Sequence, residues 1–420
     1  MRKSMIAAAF VVLLASSSAF GQTFSSGSTG ADGALAPSSG TSEVWIQLPE
    51  SGILNYTTIT IPANVTVRFK KNSQNTAVIM LAQGDVVIRG SVNLDADYLD
   101  ARGNRDYTLP GPGGFAGARI FTGQPGLGPG GGVPGVSAAR WVGPLSLVPP
   151  VGGSGGADNN ITYVSQGGGG GGGAICIAAS GSITVEGGGA ISANGVVVGG
   201  GTWGSGGAIR LVASRLSMAG AIQAQSGSFG MIRLEAPLEA LSYTGFSAPP
   251  PVISPINPAI AVTTQPALNI VSVGGFPVPS YAGARYDAAD IVLPNSLPDP
   301  INVVVVASNI PVGSQVTATF GAGSGTVTPG VLAGTFASST ATISISGLGR
   351  SGSVTYLYVS TVFAPAPGTA AANPAGLDHV ADVRVTTEMG APSSYAFLRA
   401  DGSEIPLTRL PSAFLDAYRK

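Results

Sequence analysis

Apolar residues recur along this chain in short alternating runs separated by glycine. Val78-Ile79-Met80-Leu81, Ala174-Ile175-Cys176-Ile177, Ala208-Ile209-Arg210-Leu211 and Met231-Ile232-Arg233-Leu234 align as one motif, and an internal repeat is weighed before any other reading of the fold. In the first three the match runs on, because Val86 and Ile88 correspond to Ile183 and Val185 and then to Leu216 and Met218. A glycine follows each pair, at Gly90, Gly187 and Gly220, and Val92, Ile191 and Ile222 open a further short strand. Side chains alternate between the faces of a strand, so the alignment predicts Ile79, Ile175, Ile209 and Ile232 inside and Met80, Cys176, Arg210 and Arg233 outside. Arginine fits the outer position, since an unpaired buried guanidinium is costly. Three strands in roughly 20 residues cannot close a core alone, but stacked units can. The expected fold is all-β: a short right-handed parallel β-helix over 23–246, with a leading unit at 59–61 and 65–69.

Between the second and third units lies a glycine-rich excursion, residues 103–173. Its 24 glycines and eight prolines are too many for regular strand or helix. It reads either as a glycine-rich surface layer or as a disordered loop. The coil containing Val78 is expected to stack directly on the coil containing Ile175. Past Tyr243 the pattern changes. Pro249, Pro250, Pro251, Pro255 and Pro258 predict a stiff linker at 247–258. Alternating runs at 259–264, 268–273, 301–307, 315–320, 340–346 and 354–363 then predict an immunoglobulin-like β-sandwich over 259–364. An Ala/Pro-rich linker follows at 365–377. A small terminal unit is expected at 378–420, with a strand at Val383-Arg384-Val385-Thr386 and a short helix at 411–418.

The first residues change the compartment. Arg2 and Lys3, the apolar run 5–14 and the small residues that follow have the three-part plan of a secretory signal peptide over 1–22, cleaved next to Gln22. The apolar run is half the length needed to span a bilayer. The mature chain is therefore expected to be secreted, extracellular or at the cell surface, with the periplasm as the other destination and no integral membrane segment. Without Arg2 and Lys3 the balance is 18 basic to 21 acidic side chains, which offers nothing to nucleic acid. Cys176 is the only cysteine, so no internal disulfide forms. It reads as a small covered residue, the alternative being a crosslink between two chains.

Ile59-Thr60-Ile61-Pro62, Val65-Thr66-Val67, Leu81-Ala82-Gln83-Gly84-Asp85-Val86, the poly-glycine run and Gly206-Gly207-Ala208-Ile209-Arg210-Leu211 together resemble the glycine-rich β-helix domains of secreted proteins from environmental Gram-negative bacteria. The resemblance covers about residues 24–246. It implies an exported architectural module and transfers no catalytic residue.

Candidate chemistry is sparse. Asp95, Asp97, Asp100 and Asp106, with Arg102 and Arg105, gather where a coil gives way to the excursion. Grouped carboxylates there are candidates for Ca²⁺, and an adjacent arginine for a lyase base or an acidic sugar. The competing reading is a set of turn residues paired locally, since Asn194 and Gln225 occupy the equivalent place in other coils. Trp141 and Trp203 are candidates for stacking on sugars, against a use as anchors for loops. The Asn-Thr-Asp, Asp-Asp, Gly-His-Gly and Arg-Ile-Lys motifs of polygalacturonases do not occur, and His379 is the single histidine. No catalytic residue and no cofactor other than Ca²⁺ is expected. The functional expectation is a structural or adhesive protein that meets polysaccharide or other surface proteins; the alternative is a polysaccharide-binding or polysaccharide-cleaving, lyase-like protein.

Overall fold

The computed structural model describes residues 24–72, 74–96, 109–118, 124–158, 167–196, 202–260, 266–279, 289–320, 325–347, 357–364 and 380–405. The protein is all-β, with both parallel and antiparallel sheets; among the described residues the only helical element is one 3-10 turn at Leu238–Ala240. None of them forms a helix long and apolar enough to cross a membrane.

The first part consists of β1 (Glu43–Gln47), β2 (Ile53–Tyr56), β3 (Ile59–Ile61), β4 (Thr66–Lys70), β5 (Val78–Ala82), β6 (Val86–Ile88), β7 (Ser91–Asn93), β8 (Ala174–Val185), β9 (Ala190–Ser192), β10 (Ala208–Met218), β11 (Ala221–Gln223), β12 (Met231–Glu235), β13 (Leu241–Tyr243), β14 (Phe246–Ala248) and β15 (Val252–Ser254). One parallel line runs β1-β4-β7-β9-β11-β14 and a second runs β2-β5-β8-β10-β12-β15. A third joins β3, β6, the distal halves of β8 and β10, and β13. The chain visits the three lines in turn and restarts one strand further along. Matching residues of successive passes therefore stack: Val67, Val92, Ile191 and Ile222 on one line, Met80, Ile177, Leu211 and Leu234 on the next, and Ile59, Val86, Ile183 and Leu216 on the third. All belong to one buried apolar core, where each aliphatic side chain contributes roughly 1.5–3 kcal/mol.

Three expectations need correcting. First, Val78 pairs with Ile175 and Met80 with Ile177, so Met80 points inside and Ile79 and Leu81 join a cluster on the outer face. Only the tetrad at Val78 is one residue out of step with the other three, which pair as aligned, and a one-residue slip exchanges the faces of a strand. Second, Arg210 does face away from the inner core, but it is fully buried, because the segment after β15 covers it. Third, the parallel stack does not end at residue 246 but runs into the segment expected as a linker at 247–258. β14 pairs with β11 and β15 with β12, and Pro249, Pro250 and Pro251 make the corner between them, where no ladder donor is needed.

β5 and β8 are direct neighbours despite the excursion between them. Parts of it, together with residues 202–207, form a packed layer. Residues 111–118, 152–157, 167–173 and 202–207 contribute to no extended ladder until β10 starts, yet most are buried. Along the poly-glycine run, the N–H groups of Gly168 and Gly171 donate to Ala118 and Phe115 at 2.8 and 3.0 Å, and those of Gly169 and Gly172 to Thr202 and Ser205 at 3.0 and 2.9 Å. The carbonyls of Gly170 and Gly173 accept from Val196 and Ala208, both at 2.9 Å. Direction repeats every third residue, the period of a polyproline II-type helix, which has no internal hydrogen bonds and can bond sideways to several neighbours. Gly153 and Gly156 complete the layer by donating to Gly172 and Gly169 at 2.7 and 2.8 Å. The Asn75 amide ties it to the coils, donating to Gly114 at 2.8 Å and accepting from Gly113 at 3.0 Å.

Two antiparallel sheets make up the second part. Ala267–Val273, Ile301–Ser308 and Ser339–Ser346 lie side by side in one, and Gln315–Phe320, Leu357–Phe363, Asp382–Glu388 and Ser394–Leu398 in the other. Their inward residues, among them Ile270, Val303, Val305, Val316, Ile343 and Val359, form a single core. Val383, Val385 and Phe397 are in that core too, and Asp382–Glu388 pairs directly with Leu357–Phe363. The expected separate terminal unit is corrected accordingly: the strand at Val383 completes a sheet of the larger unit, because its buried alternation needs a facing layer. The helix expected at 411–418 and the linker at 365–377 lie outside the described residues.

Candidate functional site

Of the acidic group, Asp95 is described; Asp97, Asp100, Asp106 and Arg102 lie outside the described residues. Asp95 sits just after β7, its amide held by the Asn93 side chain at 2.9 Å, and its carboxylate accepts the backbone N–H of Asn194 at 2.6 Å. Asn194 in turn accepts the N–H of Gln225 at 3.0 Å. Each polar turn side chain thus caps the backbone of the next coil, which accounts for Asp95 without a ligand. Among the described residues no three His, Cys, Asp or Glu side chains cluster as a metal site would require.

The two tryptophans part company. Trp141 donates its indole N–H to the Val151 carbonyl at 2.8 Å and packs beside Leu147, Ala174 and Ala208, so it anchors the excursion to the coils. Trp203 is 43% exposed, with its ring laid on Gly227. Phe229, 60% exposed, follows Ser228, whose hydroxyl donates to the Ala139 carbonyl at 2.6 Å while Ala139 donates to the Trp203 carbonyl at 3.3 Å. The glycine layer therefore presents two aromatic rings on backbone supports. Trp45, also exposed, lies 5.7 Å from the Arg68 guanidinium and donates to Glu43 at 2.9 Å, and Glu43 pairs with Arg68 at 2.7 Å.

Two clefts, of about 310 and 370 Å³, follow the junction of the glycine layer with the second part, and Phe115, Pro392 and Tyr395 line both. Gln74, Thr76 and Asn309 add amides and a hydroxyl to the first. Tyr358, Arg384, Glu388 and Glu404 line the second, where Arg384 pairs with Glu404. Burial pushes the Tyr395 phenol far above its usual range, and its hydroxyl donates to the Pro266 carbonyl at 2.6 Å, so Tyr395 serves as a wall. Ring faces beside amides and hydroxyls suit a polyhydroxylated chain better than a compact anion.

Sequence reasoning missed the most densely bonded polar group. Arg210 makes a two-pronged ion pair with Glu235, Nε to Oε1 at 3.0 Å and Nη2 to Oε2 at 2.9 Å, with neither side chain exposed. Arg233 adds a contact to Glu235 at 2.6 Å. The signal was present in the sequence: in the stacked register Arg210 faces Arg233 and Val212 faces Glu235, so a carboxylate stands on the same outer face as two guanidinium groups. Cys176, beside them, is fully buried, and burial pushes its thiol up to about 11 despite the nearby Arg210. A thiol kept protonated is a poor nucleophile.

Fold and site together define an all-β protein of parallel and antiparallel sheets with exposed aromatic side chains and two open clefts. No family model, no curated protein and no solved structure matches the chain.

Proposed function

We propose that the protein is a secreted or cell-surface structural protein with an adhesive role, built as a right-handed parallel β-helix that carries a glycine-rich layer, followed by an immunoglobulin-like β-sandwich. Three parallel strand lines traversed in turn support the β-helix reading, and parallel crossovers are almost always right-handed. Two facing antiparallel sheets around one core support the sandwich. The observation that carries the functional reading is that Trp203 and Phe229 are both exposed on segments bonded through their backbone to the glycine layer. Aromatic faces on a rigid support suit contact with surface polysaccharide, since little side-chain freedom is lost on binding. The second reading, a polysaccharide-binding or lyase-like protein, draws support from the two clefts and their polar and aromatic lining.

Fractionating cells that express the full chain, then offering the exported protein to intact cells, envelopes, and neutral and acidic polysaccharides with and without Ca²⁺, separates these readings. Retention that falls about tenfold or more on replacing Trp203 and Phe229 by alanine supports adhesion. Release of cleaved oligosaccharides that stops with Asp97→Ala would put the lyase reading in its place. Retention of the chain in the cytoplasm would sink both.

A further inference from the structure

The outer face of β5, β8 and β10 carries an apolar stripe of Ile79, Leu81, Cys176, Ala178 and Val212, buried beneath Ile256 and Ile260 from the segment after β15 and beneath Phe24. That segment is also held by charge. The Arg210 guanidinium donates to the carbonyls of Asn257 and Ala259 at 2.9 and 2.7 Å, and the Glu235 carboxylate accepts the Asn257 N–H at 2.8 Å. Both charged groups are thus sealed from water by the segment itself. A buried pair left with one partner is strongly destabilising. Here, however, Arg210 and Glu235 sit on the outside of the coils and remain paired with each other when the segment lifts, with water replacing the three bonds it made. The apolar contacts of Ile256 and Ile260 are then the main loss, a modest one.

We propose that residues 255–260 are a strap latched onto the outer face of the coil stack by the Arg210 and Glu235 pair, and that its release is the conformational step that frees the second part of the chain to move relative to the coils. The strap precedes the strand Ala267–Val273 in the chain, on the connection that leads from the coils to the antiparallel sheets. This inference does not depend on the adhesive reading, because it concerns only the join.

Cys176 reports the strap directly, since it lies under it. The test is thiol labelling of the full exported chain with 5,5′-dithiobis(2-nitrobenzoate) at pH 8, with the strand signal followed by circular dichroism and the radius of gyration by small-angle X-ray scattering. Two variants are compared with the parent: Glu235→Gln, which removes the charge of the latch, and Ile260→Ser, which leaves every coil residue unchanged. The expected result is that both label about tenfold faster or more than the parent, with a larger radius and an unchanged strand signal. Labelling of Ile260→Ser at the parent's rate overturns the proposal. Loss of the strand signal in Ile260→Ser also overturns it, because the segment would then be part of the coil fold and not a strap upon it.

Discussion

At Gly171 the neighbouring backbone lies so close that a Cβ would fall on the carbonyl of Gly153, whereas a Cβ at Gly187 would meet nothing. Both are glycines with ordinary φ, so the two positions separate close packing from conformational freedom. Gly171→Ala is expected to destabilise the first part by about 2–3 kcal/mol through overpacking, and Gly187→Ala to change it by under about 1 kcal/mol. Urea titration of the two variants measures both, and equal effects would mean that the glycine layer is not closely packed. Asp85 offers a second test. Its carboxylate accepts the backbone N–H and the hydroxyl of Ser182 at 2.7 and 2.9 Å, which lowers its pKa below the usual 3.8. A lowered folded pKa adds stability that is present above the unfolded value and lost as pH falls through the folded one. Melting temperatures of the parent and of Asp85→Asn should therefore differ at pH 6 and converge in acid below that range. A difference that persists there would assign the effect to shape instead of charge.

Among the elements, β5 shows how far periodicity carries. Val86 and Ile88 were matched correctly to Ile183 and Val185, yet the strand just before them was matched one residue out of step. Four consecutive apolar residues leave the face of a strand undetermined, and β5 is buried on both sides. The spacing from Val78 to Val86 repeats that from Ile175 to Ile183, and counting back from the later pair recovers the register. The final strands were misassigned for a different reason. Val383 and Val385 alternate as any half-buried strand does, and nothing local says which sheet receives them. Ending the chain at Phe363 should therefore leave the second part without Val383, Val385 and Phe397 in its core. The prediction is loss of its cooperative unfolding while the first part still melts normally. A truncated chain with both transitions intact would restore the separate terminal unit.

On the scale of the whole molecule, two large apolar cores share no residue. Differential scanning calorimetry is expected to resolve two transitions, of which Phe397→Ala lowers only the one belonging to the antiparallel sheets, by about 3 kcal/mol or more in stability. A single transition shifted as one unit would show that the join is as strong as the cores. The arrangement of strands into an all-β chain, the pairing of β6 with β8 and of β9 with β11, and the inward place of Ile175, Ile209 and Ile232 were determined by sequence alone, because apolar alternation and glycine turns are local properties that stacking simply repeats. The tertiary structure decided the rest: that the poly-glycine run is a threefold-bonded layer, that Arg210 is sealed beneath the chain, and that Asp95 caps a neighbouring coil. Each depends on which backbone or side chain arrives from far along the chain, and glycine in particular carries no side-chain pattern from which its neighbours can be read.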